Sequence, residues 1–175
     1  MNRYVKFKNI VLIGMSGAGK TTVGKYIASK LNMEFVNTDD IIVLNFGDTI
    51  EQIFSKYGEE YFRNLEKKVI EGLKEKENIV ISTGGGVVID EVNIDILKKN
   101  GIFVYLEASI DTLVRNVKSS KENRPLLDND NLYSNIEEIY NKRKRLYISS
   151  ADYIVQVDNK SIESIGDEVI YILNN

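Results

Sequence analysis

Short apolar runs of strand length alternate along this chain with longer stretches in which apolar residues recur every three or four positions. The first pattern suits buried strands and the second suits amphipathic helices. Their alternation is the signature of βαβ units that build a parallel sheet covered by helices. Strands are predicted over Asn9 to Ile13, Glu34 to Asn37, Ile79 to Ser82, Ile102 to Leu106 and Tyr153 to Val157. Helices are predicted over Lys20 to Leu31, Glu59 to Lys74, Asp90 to Lys99, Ile110 to Lys118, Ser134 to Ile148 and Ser161 to Leu173. A further helix opens at Thr49-Ile50-Glu51-Gln52, a capping box, and Ser134-Asn135-Ile136-Glu137 has the same form. The stripes Phe62, Leu65, Val69, Ile70, Leu73 and Ile162, Ile165, Val169, Ile172 read as core. The rhythm breaks at Ser119 to Asn131, a polar stretch holding the sole proline, Pro125, and Asp128-Asn129-Asp130-Asn131. It predicts a long surface excursion of the kind that often serves as a lid.

Composition narrows the chemistry more than the fold. At 175 residues, with 43% hydrophobic and 28% charged positions, the chain reads as one soluble globular domain. A formal charge of −3 gives no reason to expect a nucleic-acid surface. The absence of Cys excludes disulfides, thiol nucleophiles and thiolate metal sites, and the absence of His excludes the common zinc sets and Ser-His triads. No apolar run approaches the roughly 18 residues of a membrane helix. Met1-Asn2-Arg3-Tyr4-Val5-Lys6 leads into the first strand without the form of a removable signal, so the expected location is the cytoplasm.

Directly after the first strand stands Gly14-Met15-Ser16-Gly17-Ala18-Gly19-Lys20-Thr21, a complete G-x-x-x-x-G-K-[ST] loop. A polyphosphate needs many donors in a small volume, and a turn without bulky Cβ atoms lets backbone N–H groups converge there. The following helix start favours an anion, Lys20 adds a positive charge, and the Thr21 hydroxyl can ligate Mg²⁺. The loop predicts a bound nucleotide without saying whether the protein is a switch, a motor or a kinase. Neither Asn141-Lys142-Arg143-Lys144 nor Asn159-Lys160-Ser161-Ile162 carries the acid of a guanine-reading motif, which weakens the switch reading.

Four other groups bear on the same crevice. The third strand runs into Thr83-Gly84-Gly85-Gly86, either a tight turn or backbone brought close to a ligand. The second ends in Asn37-Thr38-Asp39-Asp40, whose carboxylates suit an acceptor hydroxyl, a magnesium shell or a helix cap. Arg63, with Glu59 four residues before and Glu66 three after, is either a ligand arginine or part of an exposed ion-pair ladder. Arg124, beside Pro125, is a candidate phosphate clamp on the lid, whereas most of the run Arg143-Lys144-Arg145 reads as a solvated face.

In that order, these segments, with Gly58-Glu59-Glu60-Tyr61-Phe62-Arg63-Asn64-Leu65-Glu66, Arg124-Pro125-Leu126-Leu127 and Leu146-Tyr147, resemble the shikimate kinase family over nearly the whole chain. The resemblance implies an α/β fold, three-layer αβα, with a five-stranded parallel sheet of the P-loop, nucleoside-monophosphate-kinase-like kind. It implies a single domain over residues 1–175, with a substrate-binding region at about 37–66 and a lid at about 117–131. The implied reaction moves the γ-phosphate of ATP to the 3-hydroxyl of shikimate, in the route to chorismate and the aromatic amino acids, with Mg²⁺ as cofactor and a cytoplasmic monomer as the working form. No nucleic acid or membrane partner is implied.

Carried over by position, Lys20, Asp39 and Arg124 are the implied catalytic residues, Asp39 holding the acceptor hydroxyl. Gly17, Ala18, Gly19, Lys20, Thr21, Thr22, Arg115 and Arg124 are the implied ATP contacts, Thr21 also holding the metal. Asp39, Arg63, Gly85, Gly86 and Arg143 are implied to bind shikimate, the two arginines on its carboxylate. Three departures stand out: Asn37 where the family usually has Asp, Arg145 in place of a common proline, and a slightly long lid. The longer lid leaves either Arg115 or Asn116 for the adenine. The alternatives are another small-metabolite kinase of the gluconate type, or a nucleotide-binding regulatory module without catalysis.

Overall fold

The computed structural model describes residues 9–119 and 131–175. Five parallel strands form one sheet in the order β2-β3-β1-β4-β5, where β1 is Asn9–Ile13, β2 Glu34–Asn37, β3 Ile79–Ser82, β4 Gly101–Glu107 and β5 Tyr153–Gln156. All five predicted strands are present. The three central ones are almost wholly buried, because a parallel strand covered on both faces can afford continuous apolar sequence. Asn9, the one polar residue of β1, is satisfied there: its Nδ2 donates to Lys76 O at 2.7 Å and its Oδ1 accepts from Ile79 N at 3.2 Å.

Seven helices connect the described strands: α1 Lys20–Leu31, α2 Thr38–Phe46, α3 Ile50–Leu73, α4 Glu91–Lys98, α5 Ile110–Ser119, α6 Leu132–Ser150 and α7 Ile162–Asn174. Right-handed crossovers send α1 to one face, since β1 to β2 runs one way along the sheet. The later crossovers run the other way and place α3, α4 and α6 on the opposite face, while α7 returns beside α1. The direction of winding therefore changes between β1 and β3, and the strand ends that meet there face one crevice.

Two details differ from the sequence reading. Ile41-Ile42-Val43-Leu44 lies inside a helix, α2, that the apolar spacing did not predict. Its N-terminus is capped by Asn37, whose side chain accepts from Asp39 N and Asp40 N. Helix α6 starts at Leu132, two residues ahead of Ser134, because Leu132 anchors in the core; the second capping box is not used. The first one is used as expected, with Gln52 N donating to Thr49 Oγ1 and Thr49 N to Gln52 Oε1. Gly58 (φ 82°) kinks α3 into the two helical stretches predicted separately.

Besides the main core, Ile42, Ile53 and Phe62 form a small second core between α2 and α3, joined to the first through Val69. The segment that follows β2 thus has packing of its own beside the crevice.

Candidate active site

The donor end begins where β1 turns into the loop and α1. Lys20 is 7% exposed, and its Nζ donates to the carbonyls of Gly14 and Met15, each at 2.8 Å. The ammonium is thereby held over its own loop instead of in solvent. Thr21 Oγ1 lies 3.4 Å from Ser82 Oγ at the end of β3 and accepts from Asn37 Nδ2, 3.3 Å away at the end of β2. One hydroxyl thus ties the start of α1 to two strand ends. A hard cation that keeps most of its waters and takes the rest of its ligands from phosphate needs little more than such an oxygen. Among the described residues no cluster of acidic side chains forms a complete metal cage. The Thr21 hydroxyl fits one ligand position of such a cation carried in with a nucleotide.

Ala18 is buried, its N–H donating to Met15 O, and Thr22 Oγ1 donates to Gly19 O. The loop is braced from α5, where Asn116 Nδ2 donates to Gly17 O at 2.8 Å. A Cβ on Gly17 would stand 3.1 Å from both Leu113 O and Val117 Cγ2 of that helix. Arg115 is exposed on α5 and donates to Thr112 Oγ1. Burial works against the Asp158 carboxylate, yet hydrogen bonds from Thr112 and Ser109 and the charge of Arg115 hold it below its ordinary value. The two adenine candidates are thus separated: Asn116 is committed to the phosphate loop, and Arg115 faces the β5–α7 turn.

The acceptor end is built around the triple glycine. Thr38 is fully buried and its Oγ1 accepts from Gly84 N at 3.1 Å, fastening the start of α2 to the end of β3. A Cβ on Gly84 would lie 2.9 Å from both Asp39 Oδ1 and Glu66 Oε1. On Gly86 it would lie 2.2 Å from Arg63 Nη2. These glycines let two carboxylates and a guanidinium close on bare backbone. Gly85 reaches the other end of the site, since a Cβ there would be 3.3 Å from Ser16 N of the phosphate loop. Asp40 is exposed and stands apart from this group.

Arg63 donates to Glu66 Oε2 at 2.9 Å and to Glu59 Oε1 at 3.1 Å. The exposed-ladder alternative does not hold, because Glu66 is 0% exposed and the Arg63 side chain only 18%. Phe62, Glu66 and Ile70 are spaced by four and lie on one buried helix face, a signal that could have placed Glu66 inside. Burial works against the Arg63 charge, but Glu66 and Glu59 keep it above its ordinary value. Burial pushes the Glu66 carboxyl up against the pull of Arg63; Asp39 adds to the rise and Arg143 opposes it. Among the described residues, Arg63 Nε and Glu66 Oε1 have no hydrogen-bond partner.

Arg143 approaches the same group from α6, where its charge acts on Glu66 and on Tyr147. The basic run divides: Lys144 lies 3.6 Å from Glu107 and Arg145 is exposed, with α6 unbroken where the family's proline would stand. Arg124 lies outside the described residues. The triple glycine joins the phosphate loop, through Gly85, to Asp39, Glu66 and Arg63, and Arg143 acts on the same Glu66. Such a site can hold a phosphate donor against a small anionic polyol.

A family profile described as shikimate kinase matches residues 16–174. The chain belongs to the shikimate kinase family. It is 44% identical over 165 residues to the shikimate kinase of Caldicellulosiruptor saccharolyticus, covering 94% of this chain and 95% of that protein. Identity to the Vibrio parahaemolyticus shikimate kinase is 38% over 166 residues, 95% of this chain and 96% of that one. Among solved structures, shikimate kinase from Acinetobacter baumannii in complex with shikimate superposes with a TM-score of 0.91 at 33% identity, over 97% of this chain and 94% of that one. Deoxyadenosine kinase from M. mycoides, at 18% identity and a TM-score of 0.65, shares the fold.

Proposed function

We propose that this crevice carries out ATP-dependent phosphorylation of shikimate with the residues just described in defined roles. As a member of its family, the chain is a kinase that transfers the γ-phosphate of ATP to the 3-hydroxyl of shikimate, giving shikimate 3-phosphate and ADP. The assignment of roles rests chiefly on one observation: the triple glycine touches the phosphate loop through Gly85 and the Asp39, Glu66 and Arg63 group through Gly84 and Gly86. Donor and acceptor subsites therefore adjoin.

In this reading the backbone of Gly17, Ala18 and Gly19, with Lys20, Thr21 and Thr22, takes the phosphates, and Arg115 lies along the adenine. Thr21 is the protein ligand of Mg²⁺, which when bound neutralises charge on the phosphates. Arg63 and Arg143 bind the shikimate carboxylate, with Gly85 and Gly86 forming the wall beside it. Asp39 accepts a hydrogen bond from the 3-hydroxyl and takes its proton as the oxygen attacks the γ-phosphorus and the bond to the ADP oxygen breaks. Lys20 follows the charge on the transferring group, and Arg124 closes over it from the lid.

The proposal includes one domain with a substrate-binding region near 37–66 and a lid near 117–131, and a cytoplasmic monomer. Among the described residues no helix is long and apolar enough to cross a membrane. The test is ADP release by the purified chain with Mg²⁺-ATP and, separately, shikimate, gluconate and a set of nucleoside monophosphates. Turnover with shikimate alone is expected; turnover with gluconate and not shikimate would overturn the reading.

A further inference from the structure

Tyr147 is a large buried polar side chain for which phosphoryl transfer itself gives no task. It is 0% exposed on α6, and its ring stacks on Tyr105 of β4 with centroids 5.1 Å apart and planes at 20°. Its hydroxyl donates to the carbonyl oxygen of Gly85 and lies 3.6 Å from the Met15 sulfur of the phosphate loop, with the charge of Arg143 acting on it. Burial raises its pKa to about 12, against the charge of Arg143, so the group works as a neutral phenol.

A phenol has one proton to give, and here the Gly85 carbonyl receives it. The Gly85 carbonyl and the Gly86 N–H are opposite ends of one planar trans peptide. Fixing the oxygen on Tyr147 turns the Gly86 N–H away from it. Among the described residues no group accepts from that N–H. The Cα of the same Gly86 lies against the Arg63 guanidinium. The hydroxyl thus fixes the peptide beside the Arg63 guanidinium, and the stacked ring prevents it from rotating away.

We propose that Tyr147 is a positioning residue for the anionic acceptor: its hydroxyl sets the Gly85–Gly86 peptide, against which the Arg63 guanidinium lies, before the substrate arrives. The inference rests on the reading that Arg63 and Gly86 meet the acceptor. It predicts a loss confined to that ligand, because the phosphate loop touches Tyr147 only through a methionine sulfur.

The test is calorimetric binding of shikimate and of Mg²⁺-ADP to the full chain, for wild type, Y147F and Y140F. Y147F keeps the stacked ring and removes only the hydroxyl. Y140F removes a hydroxyl from the same helix that meets Glu107, 3.4 Å away, outside the subsite. Shikimate binding is expected to weaken about fivefold to twentyfold in Y147F, with ADP binding within about twofold of wild type and Y140F unchanged for both ligands. In turnover, KM for shikimate should rise by a similar factor while kcat changes by less than about threefold. Unchanged shikimate binding in Y147F, or parallel loss of both ligands, would overturn the inference and leave Tyr147 a core residue. Failure of the wild type itself to bind shikimate would instead overturn the functional reading and this inference with it.

Discussion

Replacing Gly86 by alanine tests the acceptor subsite at its tightest point. The added methyl carbon would stand 2.2 Å from Arg63 Nη2 and 2.5 Å from its Cζ, where ordinary contact begins at 3.4 Å. The guanidinium must therefore retreat by about 1.2 Å, and it cannot keep both its 2.9 Å bond to Glu66 and its 3.1 Å bond to Glu59 while doing so. A carboxylate ligand set to meet Arg63 loses a charge-assisted contact of about 1.5–3 kcal/mol. That corresponds to roughly 10- to 160-fold in affinity. The three atoms nearest the added methyl all belong to Arg63, so the loss is expected to fall on the acceptor and not on the phosphate loop. The assay is calorimetric titration of G86A with shikimate and with Mg²⁺-ADP, below the thermal transition of the variant, followed by KM for each substrate. Shikimate affinity should fall by one to two orders of magnitude with ADP affinity within about twofold. Unaltered shikimate affinity would refute the placement of Arg63 on the acceptor, and equal loss of both ligands would mean that the arginine is structural.

Asn116→Leu removes the 2.8 Å bond to Gly17 O while filling similar space, so Mg²⁺-ADP affinity should drop about threefold to tenfold with shikimate affinity unchanged; no change in either would show that the brace is idle. Asn37→Asp keeps the cap of α2 but places a carboxylate beside Thr21, so the Mg²⁺ concentration for half-maximal ADP binding should fall about threefold, and a rise would contradict the metal assignment. Glu66 has a folded pKa above its ordinary value of 4.5, so the folded state holds its proton to higher pH than the unfolded chain does. Its favourable contribution is present at low pH and is lost as pH rises from about 4.5 through the folded pKa; urea melts of E66Q should show the variant gaining stability relative to wild type over that window, and a flat or opposite trend would refute it.

The strands and the phosphate loop were legible because each depends on local sequence: continuous apolar runs for buried strands, and glycine spacing for the loop. Helix α2 was not, since Ile41 to Leu44 are consecutive apolar residues without helical period. What makes them helical is the Asn37 cap and packing against α3, and only the second core reveals the latter. The role of Asn116 was equally hidden, because its partner Gly17 lies 99 positions away. For Arg63 the sequence offered two readings, an exposed ladder or a ligand. The choice turned on whether Glu66 faced solvent, which depends on the close approach of α3 to Gly84. Spacing locates charged neighbours along a helix; it does not say which of them the rest of the fold will bury.

That burial sets how the two arginines divide their work. Arg63 is already engaged by Glu66 and Glu59, so its charge is largely balanced before any ligand arrives. Arg143 forms no ion pair within 4 Å among the described residues, and its charge acts on Glu66 and on the phenol of Tyr147. On the proposed reading it is the arginine that brings charge to an incoming carboxylate. Arg63, fixed by two acids, contributes direction more than net attraction. On that reading a neutral polyol such as a sugar would cover the Arg143 guanidinium without bringing it a counter-charge, which costs more than a missing hydroxyl contact. Discrimination in favour of a carboxylate-bearing polyol would then follow from Arg63 being ion-paired while Arg143 has no ion pair among the described residues. Gluconate also carries a carboxylate, so charge alone does not exclude it. Against that flexible chain the selection falls to the fixed spacing between the arginine pair and Asp39, which suits a rigid ring whose ionic and reacting ends stand at a set distance.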